Sequence, residues 1–452
     1  MSGGLVQALQ LIAALSLLIL LHEFGHFFFA RLFKTRVEKF YLFFDFLFPF
    51  SGLLNFSLFK KKVGDTVYGI GWFPLGGYVK IAGMVDESMD KDAMALPPQP
   101  WEYRSKPAWQ RLFIMLGGII MNILVGVLIY TVIFGVWGEE YLPTQNAKYG
   151  IMVDSLGKSL GLQSGDKFVS VDNRPIARFH KIVPEIIFSQ AKTIQVERDG
   201  KQMDIAIPAG TVHSIIKGQK NTFIQARIPI VVASLDKKSE AAHMGLKEND
   251  SIIAINETPV QFYDQYDEIK RANAGNPIVV TVIRNHTQVV QLHGVVPANK
   301  ILGFAPKGPE QYLQLARIKY GPLEAISKGF TFTFDQFGNY WSQFKLIFTS
   351  KEIKASESLG GIVSFGKLFS PQFSWIDFLT LTAFISIILA FMNLLPIPGL
   401  DGGYVIFLLF ELITRKKVSE KVMERATTVG LVLLLGLMLY ANGLDIFRLF
   451  KK

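Results

Sequence analysis

Cysteine is absent from this chain of 452 residues, and histidine occurs only 7 times. Without cysteine no disulfide can form, and any metal site must use histidine or carboxylate ligands. Charged residues make up only 19% of the chain, against 50% hydrophobic residues. The net charge of +10 is not gathered in a soluble basic domain, so nucleic-acid binding is not expected. The composition is that of a membrane protein.

Four apolar stretches are long enough to cross a bilayer, which needs about 20 residues. They are residues 5–33, 112–137, 378–400 and 426–444. The first has no basic residue before it and is too long for a cleavable signal peptide. We therefore expect four transmembrane helices, with a long soluble stretch between the second and the third.

Lysine and arginine cluster after the first stretch, before the second, and between the third and fourth. They include Arg31, Lys34, Arg36, Lys39, Lys60, Lys61, Lys62, Arg104, Lys106, Arg111, Arg415, Lys416, Lys417, Lys421 and Arg425. Because cytoplasmic loops carry such an excess, both loops are expected in the cytoplasm. The N-terminus and residues 138–377 are then expected outside, and the basic C-terminal tail is a mild exception.

The first apolar stretch contains His22-Glu23-Phe24-Gly25-His26. On a helix this spacing puts two imidazoles one turn apart on one face, where both can bind one zinc ion. Glu23 lies beside that face and can act as general base on a water molecule. Ionisable residues at membrane depth usually mark a functional site, which favours a metal site over a chance match.

A zinc site needs a third protein ligand, and Asp401 is the candidate. It follows the third apolar stretch in Asn393-Leu-Leu-Pro396-Ile-Pro398-Gly-Leu-Asp401-Gly-Gly, at the same cytoplasmic end as the two histidines. The two prolines break the helix and turn the aspartate toward the bundle. The alternative is that Asp401 only caps the short helix that follows.

The outer stretch contains a repeat. Residues 161–176 and 245–260 align without a gap, and each has a Gly-Leu turn, an aspartate, a strand, a tight turn and a proline. A helical segment (180–191 or 263–273) follows, and then a strand ending Val196-Glu197-Arg198-Asp199 or Val282-Ile283-Arg284-Asn285. This duplication predicts two tandem domains, which resemble circularly permuted PDZ domains. They could bind an extended peptide or serve only as a spacer or lid.

Two segments beside the membrane remain. Residues 39–59 are rich in Phe and Leu, and residues 67–79 are rich in glycine. They predict a re-entrant hairpin whose strand edge could align a substrate, or else a loop on the membrane interface. Residues 311–349 show helical spacing of apolar residues with a break at Gly321-Pro322, which predicts amphipathic helices on the outer membrane surface.

Together these motifs resemble the site-2 protease family of intramembrane zinc metalloproteases, and the tandem PDZ pair resembles its RseP branch. The resemblance implies that His22, His26 and Asp401 bind Zn²⁺ and that Glu23 is the catalytic base. It also implies that Asn393 contacts the substrate backbone, and that the Gly-rich segment is the re-entrant hairpin of the family. Gly76, Gly77 and Tyr78 in that segment are the candidate substrate contacts there.

The expected fold is a polytopic α-helical membrane protein with four transmembrane helices, a re-entrant β-hairpin and two tandem outer PDZ (α+β) domains. The expected segments are 1–137 with the first two spans, 138–215 and 216–305 as the PDZ domains, 306–370 as surface helices, and 371–452 with the last two spans.

The resemblance implies an inner-membrane monomer with its PDZ domains in the periplasm and its active site toward the cytoplasm. Its partners would be the lipid bilayer and a pre-trimmed transmembrane substrate such as an anti-sigma factor, with signal-peptide remnants as a second class. Two other functions are compatible with the motifs: a membrane scaffold with a vestigial metal motif, and a metal transporter. Glu23 between the histidines and the PDZ insert favour the protease.

Overall fold

The computed structural model describes residues 3–47, 54–74, 76–84, 97–217, 223–349 and 360–450. The chain divides into two compact units. The first comprises Met1–Gly138, Lys319–Lys345 and Ser358–Lys452, and the second comprises Glu139–Ile318 and Leu346–Glu357.

The long helices of the described residues belong mainly to the first unit, and the five helices between residues 155 and 272 of the second unit are short. They are α1 (Gly3–Leu32), α2 (Ala108–Val136), α3 (Ser155–Ser159), α4 (Ile182–Phe188), α5 (Thr211–Lys217), α6 (Glu240–His243), α7 (Tyr263–Ala272), α8 (Pro322–Thr349), α9 (Ile362–Gly366), α10 (Trp375–Leu394), α11 (Asp401–Thr414) and α12 (Glu420–Phe450). Short 3-10 turns occupy Tyr103–Ser105, Thr144–Asn146, Phe179–Lys181 and Pro309–Gln311.

The strands form one sheet in the first unit and several small sheets in the second. They are β1 (Val37–Leu42), β2 (Ser57–Val63), β3 (Thr66–Gly71), β4 (Tyr78–Ile81), β5 (Glu139–Tyr141), β6 (Ile151–Val153), β7 (Lys167–Val171), β8 (Arg174–Pro175), β9 (Thr193–Arg198), β10 (Lys201–Ala206), β11 (Ile224–Ala226), β12 (Val232–Leu235), β13 (Ser251–Ile255), β14 (Thr258–Pro259), β15 (Pro277–Arg284), β16 (Gln288–Val295), β17 (Phe304–Pro306) and β18 (Ala316–Ile318).

Within the described residues, four helices are long and apolar enough to cross a membrane. They are Gly3–Leu32, Ala108–Val136, Trp375–Leu394 and Lys421–Arg448. Each overlaps one of the four apolar stretches in the sequence. The third helix ends at Leu394, six residues before the end of the apolar stretch, because Pro396 and Pro398 break the helix as the sequence predicts.

Helices α1 and α2 cross so closely that their backbones are in contact. A Cβ atom on Gly25 would lie 2.1 Å from the carbonyl oxygen of Gly117, and one on Gly117 would lie 2.5 Å from that of Gly25. Small residues at a crossing let two apolar helices approach this closely. The crossing fixes the register of α1 against α2 and places the metal motif of α1 against the middle of its neighbour.

The predicted hairpin at residues 67–79 is wrong in its pairing. The sheet order is β2-β3-β1-β4, so β3 and β4 lie on opposite sides of β1 and do not pair with each other. The hairpin is β2–β3, joined by a tight turn at Gly64, whose φ of 61° suits glycine. Residues 48–53 and Leu75 of these segments lie outside the described residues.

Residues 306–370 also differ from the expectation. Ala316–Ile318 is a strand, and α8 begins only at Pro322. Helix α8 packs along α2 through three pairs of small residues. Ala325 lies against Gly135, Gly329 against Thr131, and Thr333 against Gly126. The small residues allow this lengthwise packing, which differs from the expected position on the membrane surface. Residues 350–359 of this segment lie outside the described residues.

The second unit contains two domains with separate hydrophobic cores. The first core includes Ile151, Ile194 and Phe223, and the second includes Ile230, Val280 and Leu302. The predicted boundary at residue 215 is therefore too early. Strand β11 (Ile224–Ala226) pairs with β6 of the first domain, and only this long-range pairing decides to which domain it belongs.

The repeated Gly-Leu, Asp and Arg positions form the same buried clamp in both domains. In the first domain Arg198 donates two hydrogen bonds of 2.7 Å to Asp166 and one of 2.8 Å to the carbonyl of Gly161. In the second domain Arg284 makes the same bonds to Asp250 and Gly245. The clamp joins the turn that precedes the first repeat strand to the end of a later strand.

Replacing Arg284 by Met is expected to destabilise the second domain by about 3 kcal/mol, because it leaves the Asp250 carboxylate buried without its cation. The measurement is amide hydrogen exchange of strand β15 in the full-length protein. Its protection should fall about 100-fold or more if the strand exchanges through unfolding of the domain.

The matched control is Arg271→Met on α7. Arg271 also pairs with an aspartate, but its side chain is 59% exposed, so the loss should stay below about 1 kcal/mol. Equal loss of protection in the two variants would show that burial of the carboxylate does not set the strength of the clamp.

Candidate metal centre

The two imidazoles of the first apolar helix lie together, as the motif predicts. The Nε2 atoms of His22 and His26 are 3.3 Å apart. The Nδ1 atom of His26 lies 2.8 Å from the backbone carbonyl oxygen of Ile114 on α2. Since a carbonyl can only accept, His26 carries a proton on Nδ1, and its Nε2 atom faces His22.

Asp401 completes this group from the other end of the sequence. Its Oδ2 atom lies 3.4 Å from Nε2 of His22 and 3.3 Å from Nε2 of His26. Asp401 is the first residue of α11 and follows the N-cap residue Leu400, so it does not itself occupy the capping position. The geometry therefore favours the ligand alternative for Asp401 over the capping one.

A tight turn holds Asp401 in place. A Cβ atom on Gly402 would lie 2.1 Å from the carbonyl oxygen of Leu395, and one on Gly430 of α12 would lie 1.6 Å from that of Pro398. Only glycine fits at either position. At the other end of α11, Glu411 forms a buried ion pair of 2.6 Å with Arg111 of α2. Both ends of the helix that carries Asp401 are thus fixed.

The donor atoms of His22, His26 and Asp401 fit a zinc ion. Ligands about 2.0–2.1 Å from a tetrahedral ion lie about 3.3–3.4 Å from one another. The three distances given above are 3.3, 3.4 and 3.3 Å. Oδ2 of Asp401 is buried and receives no hydrogen bond from the described residues. Two imidazole nitrogens and a carboxylate oxygen without a hydrogen-bond partner therefore converge on one point.

A cavity of about 250 Å³ opens onto this point. Glu23 lines it together with the three candidate ligands, as does Met115 of α2. The backbone N–H of Val79 on β4 donates a hydrogen bond to the Glu23 carboxylate. The expected base is therefore beside the metal position, and the bond from β4 orients it.

The other predicted site residues fall into two groups. Asn393 lines the cavity, and its Nδ2 atom lies 3.5 Å from Nε2 of His22. Gly77 and Tyr78 also line the cavity. Gly76 is not among the lining residues, and a Cβ atom on it would lie 2.5 Å from the ring of Phe44. Its position therefore suits packing of the loop better than contact with a substrate.

Three positions on α2 contact the imidazoles and were not predicted from the sequence. They are the carbonyl of Ile114, the side chain of Asn122, and Gly118, where a Cβ atom would lie 2.4 Å from the His22 ring. A signal for Asn122 was available, because it is the only amide or charged side chain in residues 112–137. A polar residue at that depth is usually functional.

The comparisons with known proteins cover almost the whole chain. The model of Peptidase family M50 matches residues 10–437. A Neisseria meningitidis protein named as a zinc metalloprotease is 28% identical, over 98% of this chain and 99% of its own. Protease RseP of Yersinia pestis is 28% identical, over 98% and 97%. Regulator of sigma-E protease RseP of Salmonella typhimurium is 26% identical, over 98% and 97%.

Proposed function

Since this chain belongs to peptidase family M50, the site-2 type of zinc metalloprotease, we propose that it cuts peptide bonds within the membrane segments of other proteins. One observation carries the proposal. The three ligand atoms lie 3.3–3.4 Å from one another, which is the separation of ligands around a tetrahedral zinc ion, and the Glu23 carboxylate lies in the same cavity.

The proposed ligands are His22, His26 and Asp401, and the proposed base is Glu23. Three protein ligands leave one position open, as catalytic zinc sites require. When bound, zinc supplies Lewis-acid activation of a water molecule and of the scissile carbonyl. Glu23 takes the proton of the attacking water and then delivers it to the amine that leaves.

The substrate backbone must be unwound before it can react, because a transmembrane helix keeps its amides in its own hydrogen bonds. Strand β4 is suited to hold the freed backbone. It is the last strand in its sheet, with β1 on one side, and Gly77, Tyr78 and Val79 line the cavity. An extended peptide can add to such an edge. The amide of Asn393 is the second proposed contact.

The four apolar helices support a multi-pass inner-membrane protein, and the basic loops support an active site toward the cytoplasm. The two-domain second unit would then be periplasmic, as a PDZ pair. Strands β5 and β18 pair with each other, so the two ends of the segment 139–318 lie side by side. Such a unit suits a filter that admits pre-trimmed substrates. The names of the RseP relatives point to an anti-sigma factor as the substrate class.

The test is cleavage of a single-span protein with a short outer segment, reconstituted with the enzyme in liposomes. We expect a product cut within the membrane segment. Chelation by 1,10-phenanthroline should lower its rate at least about 10-fold, and added zinc should restore it. A product that persists unchanged after the metal has been removed would contradict the proposal, as would its absence with the zinc-loaded protein.

A matched substrate has the same length, but its membrane segment is rewritten as Leu and Ala. It should be cut more slowly, because Gly or Pro near the scissile bond lowers the cost of unwinding by roughly 1–3 kcal/mol each. Equal rates for the two substrates would mean that unwinding does not limit the reaction, and the roles of β4 and Asn393 would lose their basis.

A further inference from the structure

We propose that Asn122 is a positioning residue, which accepts a hydrogen bond from Nδ1–H of His22 and thereby fixes that imidazole for binding zinc through Nε2. This rests on the proposed function, since it takes His22 as a zinc ligand. It adds a side chain of α2 to a site whose proposed metal ligands and base lie on α1 and α11.

The geometry begins with the ring of His22. Its Nε2 atom faces Asp401 and His26, and its Nδ1 atom on the other side lies 3.2 Å from the side-chain amide of Asn122. A neutral imidazole that binds a metal through Nε2 carries its proton on Nδ1. That proton needs an acceptor, because a ligating histidine almost always donates its other N–H to one.

The amide of Asn122 can supply this acceptor. In the structure, Nδ2 of Asn122 faces His22. Oδ1 of Asn122 is then buried and has no hydrogen-bond partner in the described part of the chain. The two ends of an amide have nearly the same shape, so their assignment follows from the hydrogen bonds they make. Turning the amide over puts Oδ1 against Nδ1–H and pairs the orphaned acceptor. Asn122 is 0% exposed, so bulk solvent does not reach this bond.

Helix α2 repeats this arrangement for the second imidazole. Nδ1 of His26 already faces the carbonyl oxygen of Ile114. Ile114, Gly118 and Asn122 are spaced by four residues and share one face of α2, as His22 and His26 share one face of α1. Gly118 lies between the two acceptors, where a Cβ atom would be 2.4 Å from His22 and 2.6 Å from His26. One helix face thus offers two acceptors with room for two rings between them.

The experiment compares two nearly isosteric substitutions in the full-length protein purified in detergent. Asn122→Asp keeps an acceptor and cannot donate, whereas Asn122→Leu can do neither. Zinc affinity is measured by competition with a chromophoric chelator, and the ligand field by the absorption of bound Co²⁺. We expect Asn122→Leu to weaken zinc binding about 10- to 100-fold. Asn122→Asp should stay within a few-fold of the wild type and keep the tetrahedral Co²⁺ spectrum.

Tighter zinc binding by Asn122→Leu than by Asn122→Asp would overturn the proposal. If Asn122 only fills space or donates to His22, the apolar Leu should bind zinc at least as well as the buried Asp. If Asn122→Leu does not accumulate, Asn122→Ala carries the same comparison with Asp. Thr382→Val is the matched control, since Thr382 is a buried polar residue of α10 whose side chain, among the described residues, bonds within its own helix to Phe378. Failure of the wild type to bind zinc would instead contradict the ligand assignment.

Discussion

Replacing Asp401 by Ala should remove the bound zinc and the proteolytic activity together. Two imidazoles alone hold zinc poorly, and the carboxylate is the only charged donor of the three. We expect zinc affinity to fall at least about 100-fold, which exceeds the effect of losing a supporting residue. Cleavage should fall at least about 10³-fold, since zinc supplies several kcal/mol of transition-state stabilisation. Metal content after dialysis against a chelator and the liposome assay measure the two effects.

The matched control is Asp377→Ala. Asp377 is likewise an acidic residue in the first turn of an apolar helix, but it lies at the start of α10 and is exposed. Loss of a favourable charge at a helix N-terminus should therefore be similar in both variants. Only Asp401→Ala should lose zinc. Full zinc content and full activity in Asp401→Ala would show that the third ligand has been assigned wrongly.

Replacing Glu23 by Gln should separate activity from metal binding. The amide keeps the size of the side chain and can still accept the hydrogen bond from Val79, but it cannot take a proton from water. We expect cleavage to fall about 10²- to 10⁴-fold, the usual contribution of a general base. Zinc affinity should stay within a few-fold of the wild type, because Glu23 is not one of the three converging ligands.

Single-turnover cleavage and the zinc competition assay measure these two quantities on one preparation. Loss of zinc in step with loss of activity would mean that Glu23 holds the metal instead of moving a proton. Activity at the wild-type level would mean that another group is the base. His22→Ala serves as the positive control for a variant that should lose both zinc and cleavage.

The residues proposed for the metal centre could be predicted from short stretches of the sequence. His22 and His26 are one helical turn apart, so their proximity follows from local geometry alone. The four apolar stretches follow from the length needed to cross a bilayer, and helices of sufficient length lie over each of them. The repeat of Gly-Leu, Asp and Arg predicted two domains, and the clamps Asp166–Arg198 and Asp250–Arg284 give its physical reason.

The contacts between distant segments could not be predicted in this way. Asn122 lies 100 residues from His22 in the chain, and the contact exists because α1 and α2 cross at Gly25 and Gly117. The sheet order that puts β4 beside Glu23 depends on β1 lying between β3 and β4. The boundary predicted at residue 215 put strand β11 in the wrong domain, because its pairing with β6 joins residues far apart in the chain. Hydrophobic periodicity specifies the face of a helix or strand, but pairing and crossing depend on contacts between distant residues, which periodicity does not contain.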